Sequence, residues 1–270
     1  MPGTDADLLR AARTGDRAAI DEVLSRHEKQ VFRFGLRMCG SEEDARDVLQ
    51  ETLIAAFRGL PEFRGEADLS TWLYQIARSF CVKARRRRAG EPAEKTSLDQ
   101  PEAQAVPSEG AIPEATAHAR EMGEVLQAAI LSLPETHREV IVLKDVEGLT
   151  AEEVARVLHE EVAAVKSRLH RARSGLRQAV ATLLGPEGGW AQGTEPCPEL
   201  ADELSSYAAG DIDQATCTQI EAHLAGCPRC AGACETLQRT VSLCRRIPGD
   251  EVPPAVRAAV RAALGVNSKA

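Results

Sequence analysis

Residues 133–180 read LPETHREVIVLKDVEGLTAEEVARVLHEEVAAVKSRLHRARSGLRQAV. The stretch breaks into three helices by its own punctuation: Pro134 to about Asp145, Thr150 to about Leu158, and Ala163 to Val180. Gly148 closes the first, Thr150 caps the second with Glu153 three residues on, and about four residues lead into the third. That is a helix-turn-helix layout, whose last helix fits the major groove of duplex DNA. Val165, Leu169 and Leu176 mark the inward stripe of this last helix, while Lys166, Ser167, Arg168, His170, Arg171 and Arg173 crowd it with polar groups. Most of these cations suit phosphates and a minority suit base edges. A structural three-helix bundle that binds no DNA satisfies the same periodicity.

Upstream, residues 41–65 read SEEDARDVLQETLIAAFRGLPEFRG. Ser41 caps the helix, Val48, Leu49, Thr52, Leu53 and Ala56 form its buried side, and Asp44, Asp47 and Glu51 follow one another along an acidic ridge. Such a ridge is either a solvated face or a docking surface for a basic partner. A further helix begins near Ser70 in LSTWLYQIARSFCVKARRRR, with Leu73, Ile76, Ala77 and Phe80 inward. Trp72, Tyr74, Arg78, Lys83, Arg85 and Arg86 are not all needed for a core. Rings interleaved with cations suit single-stranded nucleic acid, because bases stack on rings and phosphates pair with cations. A basic helix end that complements the helix dipole is the plainer alternative.

The 270 residues suffice for two or three small domains, and aromatics at 3% with abundant Ala, Leu, Glu and Arg point to an all-α chain. The segment 90–117 carries four prolines and little apolar periodicity, so it reads as a flexible linker; 185–196 is a shorter one. Folded units are therefore expected at 5–89, 118–184 and 197–247, with an amphipathic tail over 248–270. No apolar run approaches the roughly 20 residues that span a bilayer, and MPGTDADLLR lacks the basic start and apolar core of a signal peptide. The expectation is a cytoplasmic chain without membrane attachment. A net charge of −8 argues against a uniform coat of nucleic acid and confines such binding to local basic faces.

Six of the eight cysteines follow Pro196. Cys197 stands 26 positions before His223, which opens a His-x3-Cys-x2-Cys run with Cys227 and Cys230. In a reducing compartment clustered thiols point to metal rather than disulfides, and three thiolates with one imidazole satisfy tetrahedral Zn2+. Gly226 lets the chain turn, and Pro228 sets Cys227 at the positive end of a helix, where a thiolate is favoured. Cys217, Cys234 and Cys244 remain. They are either small core residues or additional metal or redox ligands; Cys234 lies four residues after Cys230, on the same helix face. Soft thiolates also suit copper or cadmium, and ligand type alone does not choose.

Taken together, DARDVLQETLIAAF, FRGEADLSTWLYQIAR and LTAEEVARVL with VKSRLHRAR resemble the extracytoplasmic-function sigma factors over about residues 8–184. The resemblance implies a region 2 bundle and a region 4 helix-turn-helix. By the same likeness, Asp44, Asp47, Gln50 and Glu51 would dock on the clamp of the largest subunit of the RNA polymerase core. Trp72 to Arg88 would open and read the minus-ten promoter element, and Lys166, Ser167, Arg168 and Arg171 would read the minus-thirty-five element. The sequence departs from the pattern at Ser79 and Lys83, and it has His159 where the turn commonly holds Gly. Residues 197–247 resemble the zinc-binding anti-sigma domain, here on the same chain, as in metal-responsive sigma factors. The resemblance implies no enzyme. A stand-alone helix-turn-helix regulator needs neither the acidic ridge nor the aromatic-basic helix. A redox switch and a purely structural zinc site are the alternative readings of the C-terminal unit.

Overall fold

In the computed structural model the described residues are 5–65, 67–90, 114–185, 195–247 and 251–264. Every regular element among them is helical, as composition implied. The first unit contains α1 (Asp5–Arg13), α2 (Arg17–Cys39), α3 (Glu42–Gly59) and α4 (Leu69–Gly90). Asp16 starts α2 by accepting the backbone N–H groups of Ala18 and Ala19 at 2.9 and 3.3 Å. Gly40 ends it with φ +78°, a conformation L side chains resist, and Ser41 then caps α3 through the Asp44 N–H at 3.2 Å. This one-residue reversal folds α3 back along α2 as an antiparallel hairpin, on which α4 packs.

The second unit contains α5 (Glu114–Ser132), α6 (Glu135–Ile141), α7 (Ala151–Leu158) and α8 (Val162–Leu184). The single helix expected to end near Asp145 widens at Val142 into a π turn, Val142–Val146. Residues 141–145 are all buried, which one face of an ordinary helix does not permit. They are buried because α2 flanks the turn on one side and elements after residue 200 on the other. Thr150 and Glu153 form the expected capping box, at 3.1 and 2.7 Å. His159 ends α7 with φ 58° and ψ 47°, the one non-glycine residue with positive φ among the described residues.

A 3-10 turn (Pro198–Leu200) precedes α9 (Ala201–Ala209), α10 (Gln214–Gly226) and α11 (Pro228–Arg245), and α12 (Pro254–Leu264) is the last element among the described residues. Two cores result. The larger runs through the first two units, from Phe32, Leu49 and Leu73 to Ile130, Ile141 and Leu176, and takes in Cys244, Val252, Val256 and Val260 from the C-terminal part. The smaller one contains Leu204, Ile220, Cys230, Ala233, Cys234 and Leu237. The expected linkers fall mostly outside the described residues, although α5 begins within 90–117, at Glu114. The turn at His159 leads directly into the basic helix α8, so its geometry sets the angle of that helix. We expect His159→Gly to stabilise the chain by about 0.5–1 kcal/mol by relieving the left-handed conformation. A higher urea midpoint with unchanged helicity is the measurement that checks this.

Candidate nucleic-acid interface and metal centre

The acidic face of α3 and the basic face of α4 meet in a groove of about 550 Å³, lined by Asp47, Gln50, Glu51, Phe80, Lys83 and Arg86, among others. Asp47 and Glu51 are exposed and Gln50 is half-buried. Asp44 corrects the ridge expected from spacing. It is 5% exposed, held in the first turn where Ser41 caps the helix, so the solvent ridge starts at Asp47.

On α4 the structure separates the residues that sequence grouped. Trp72 is half-buried and stacks on Phe63, ring centroids 5.0 Å apart. Tyr74 is a core residue, not part of the basic face: it lies against Phe34 at 5.3 Å, and its hydroxyl donates to Glu147 at 2.7 Å. Burial and that carboxylate push the phenol well above its ordinary pKa. Arg78 donates to both oxygens of buried Glu139, at 2.9 and 3.2 Å, and Arg85 pairs with Glu135. Gln75 donates to the Arg156 carbonyl at 2.9 Å. Lys83 and Arg86 are exposed. Part of the candidate single-strand surface thus faces acids of the helix-turn-helix unit.

The expected reading helix α8 is also occupied. Ser167 donates to the Asp202 carboxylate on α9, and Arg168 pairs with Glu160. Lys166 is half-buried and Arg171 exposed. Arg173, grouped in sequence with the phosphate-facing cations, is instead 1% exposed. It clasps Asp145 at 2.8 and 2.6 Å and donates to the backbone oxygen and hydroxyl of Ser205, both at 2.7 Å. Burial opposes its charge, but Asp145 outweighs burial and raises its pKa. A signal existed: Arg173 lies four residues after Leu169 and three before Leu176, on the apolar stripe. A second ion pair, Lys144 with Asp211, joins the π turn to the loop after α9.

The ligand atoms of Cys197, His223, Cys227 and Cys230 all lie within 4.8 Å of one another. Nε2 of His223 is buried without a hydrogen-bond partner, an arrangement that costs free energy unless something binds it. The donor set and the orphaned nitrogen fit a tetrahedral zinc-type ion. Cys227 precedes Pro228 at the start of α11, and the Cys230 backbone N–H lowers its thiol pKa to about 7. The hydrogen bond with Cys230 raises Cys197 to about 11. Gly226 is the last residue of α10 and adopts no positive φ, so the turn does not use its freedom. Arg229, unnoticed in sequence, holds the strand before Cys197 by donating to the Glu195 and Pro196 carbonyls, the latter at 3.0 Å. Outside the quartet, Cys234 is buried beside Cys230, and Cys217 is 3.5 Å from Glu221. Cys244 lies in the other core.

Three family models match in this order: Sigma-70 region 2 over 23–91, Sigma-70 region 4 over 123–176, and a zinc-finger family over 197–231. SigM of Mycobacterium tuberculosis, an ECF RNA polymerase sigma factor, is 34% identical over 183 residues, 67% of this chain and 85% of its own. This chain belongs to the extracytoplasmic-function sigma factors. SigE of Mycolicibacterium smegmatis is 36% identical over 171 residues, covering 62% of this chain and 65% of its own. Bacillus subtilis SigW is 28% identical, over 65% and 96%. The solved complex of CnrH with the cytosolic domain of CnrY matches at 26% identity and TM-score 0.50, over 66% of this chain and 97% of that one. The sigma factor directs transcription by RNA polymerase, binds promoter DNA and is not an enzyme. Among the described residues no helix is long and apolar enough to cross a membrane.

Because Arg229 fixes the backbone next to Cys197 without ligating, Arg229→Ala is expected to weaken zinc binding by about tenfold. Competition against a chromogenic chelator measures this, with helicity as the control.

Proposed function

We propose that this sigma factor carries its own inhibitor: the C-terminal metal module covers the promoter-reading helix, and its metal state governs release. The observation that carries the reading is the grip of α9 on α8, Asp202 on Ser167 and Ser205 on Arg173. A helix held this way presents less of its polar face to a major groove. Two contacts support the same reading elsewhere. Tail helix α12 packs along α3, with Arg257 paired to Glu28 and Lys29 to Glu251 on the neighbouring α2. Region 4 acids hold Arg78 and Arg85 of region 2.

In this reading Asp47, Gln50 and Glu51 dock on the polymerase clamp in the cytoplasm, and Asp44 orders the start of their helix. Trp72, Lys83 and Arg86, joined by Arg78 and Arg85 once freed, serve the melted minus-ten strand. Lys166, Ser167, Arg168 and Arg171 serve the minus-thirty-five duplex. Zinc, or copper or cadmium in its place, would cross-link Cys197, His223, Cys227 and Cys230 into one rigid unit. Only the 3-10 turn Pro198–Leu200 separates Cys197 from α9. A change at Cys197 therefore reaches Asp202 through little more than one turn of chain. Because the module shares a chain with its target, even weak contacts hold it in place.

Run-off transcription with core polymerase tests this. Full-length protein is expected to give several-fold fewer transcripts than either the chain ended at residue 185 or full-length Asp202→Ala. Stripping metal from the full chain with a chelator should raise output towards that of the shortened one. Equal or lower output from both variants would overturn the masking role.

A further inference from the structure

Two cysteines of the first unit take no part in the metal centre. Cys39 is the last residue of α2 and Cys81 lies inside α4, 42 positions away, yet their sulfur atoms are 3.5 Å apart in a thiol–thiol hydrogen bond. Cys81 is fully buried, whereas Cys39 is partly exposed. A reagent from solvent therefore meets Cys39 first and finds Cys81 directly behind it. We propose that Cys39 and Cys81 form a hydroperoxide-oxidisable dithiol, which closes to a disulfide stapling the end of α2 to α4.

The chemistry balances with the peroxide as oxidant. The Cys39 thiolate attacks one peroxide oxygen and the O–O bond breaks. Cys39 becomes the sulfenic acid and one water, or alcohol, leaves. The Cys81 sulfur then attacks the Cys39 sulfur, the S–O bond breaks, and a second water carries off the Cys81 proton. Two thiols and one hydrogen peroxide give one disulfide and two waters. The hydrogen bond to Cys39 and burial keep Cys81 protonated, so Cys39 is the nucleophile and Cys81 the resolving thiol.

The position gives the pair a distinctive setting. Cys39 is flanked by Met38, whose carbonyl accepts from Arg138 of region 4 at 2.9 Å, and Arg85 and Glu139 act electrostatically on Cys81. The pair thus lies against the seam between regions 2 and 4, remote in sequence from every residue of the zinc quartet. The sulfur atoms, 3.5 Å apart, have to close to the roughly 2 Å of an S–S bond, and closure of a loop this long stabilises the folded unit.

The test uses the full-length, zinc-loaded chain with one to five equivalents of hydrogen peroxide. Tryptic digestion without reductant should yield residues 38–46 linked to 79–83, with two thiols lost per chain and zinc retained. Cys39→Ser should abolish the link and leave Cys81 reduced. Cys81→Ser should leave Cys39 as a sulfenic acid that a dimedone probe labels. If either variant fails to fold, the linked peptide from the unsubstituted chain decides alone. Absence of that peptide while cysteines 197–244 oxidise would overturn the proposal.

Discussion

The buried guanidinium of Arg173 is the contact on which the closed arrangement depends. A cation taken out of water loses several kcal/mol of hydration, and only close, well-aligned partners offset that loss. Here Asp145 supplies a two-pronged carboxylate and Ser205 two further oxygens. Three elements take part: α8 carries Arg173, and its partners come from the π turn and the module helix α9. The charge is therefore satisfied only when all three meet. Removing Asp145 leaves an uncompensated buried charge, a loss of about 3–5 kcal/mol, whereas removing the Ser205 hydroxyl costs one hydrogen bond. That asymmetry makes the joint between region 4 and the module specific as well as stable, and it explains why the π turn is enclosed on all sides.

The seam between regions 2 and 4 has a different character. Arg78 and Arg85 are 29% and 23% exposed at their side chains. The Arg85–Glu135 pair, solvated on both sides, contributes little net free energy and weakens with salt, whereas Glu139 is buried and loses its partner if Arg78 leaves. Under the proposed function a strand of nucleic acid would compete with Glu135 and Glu139 for these two cations. Only the solvated Arg85–Glu135 pair can part at small cost, because the rest of the seam shares one core and the buried Tyr74–Glu147 contact, and the Arg173 joint likewise resists opening. On the masking proposal, control of the chain rests with whatever loosens α9.

How far the sequence foretold this depends on the range of the forces involved. Caps, periodicity and the His-x3-Cys-x2-Cys spacing are local, and Ser41, Thr150, Gly148 and the quartet could be read from neighbours within a few residues. His159 shows the limit of residue preference: the turn adopts the left-handed conformation with a histidine because the flanking helices demand it. Tyr74, Asp44 and Arg173 were misplaced for a shared reason. Each has polar atoms that suit a surface; the stripe position of Arg173 signalled burial, but the partners of all three come from packing that periodicity does not give, and Glu147 lies 73 residues from Tyr74. The packing of α12 on α3 was equally hidden, since an amphipathic helix announces that it has a partner without naming it.

On the masking proposal, the size of the module ties metal to mask. Its own core has six buried residues, one of them the ligand Cys230, fewer than an independent fold of this length ordinarily needs. Cross-links at a metal centre supply what such a core lacks. Helix α9 has only nine residues and serves both sides: Leu204 enters the module core, while Asp202 and Ser205 face the reading helix. A short helix is marginal alone and keeps its masking face in register only while its other face is packed. A metal held by the quartet would stabilise that packing through Cys197 and Cys230, and through it, on the masking proposal, the grip on Ser167 and Arg173.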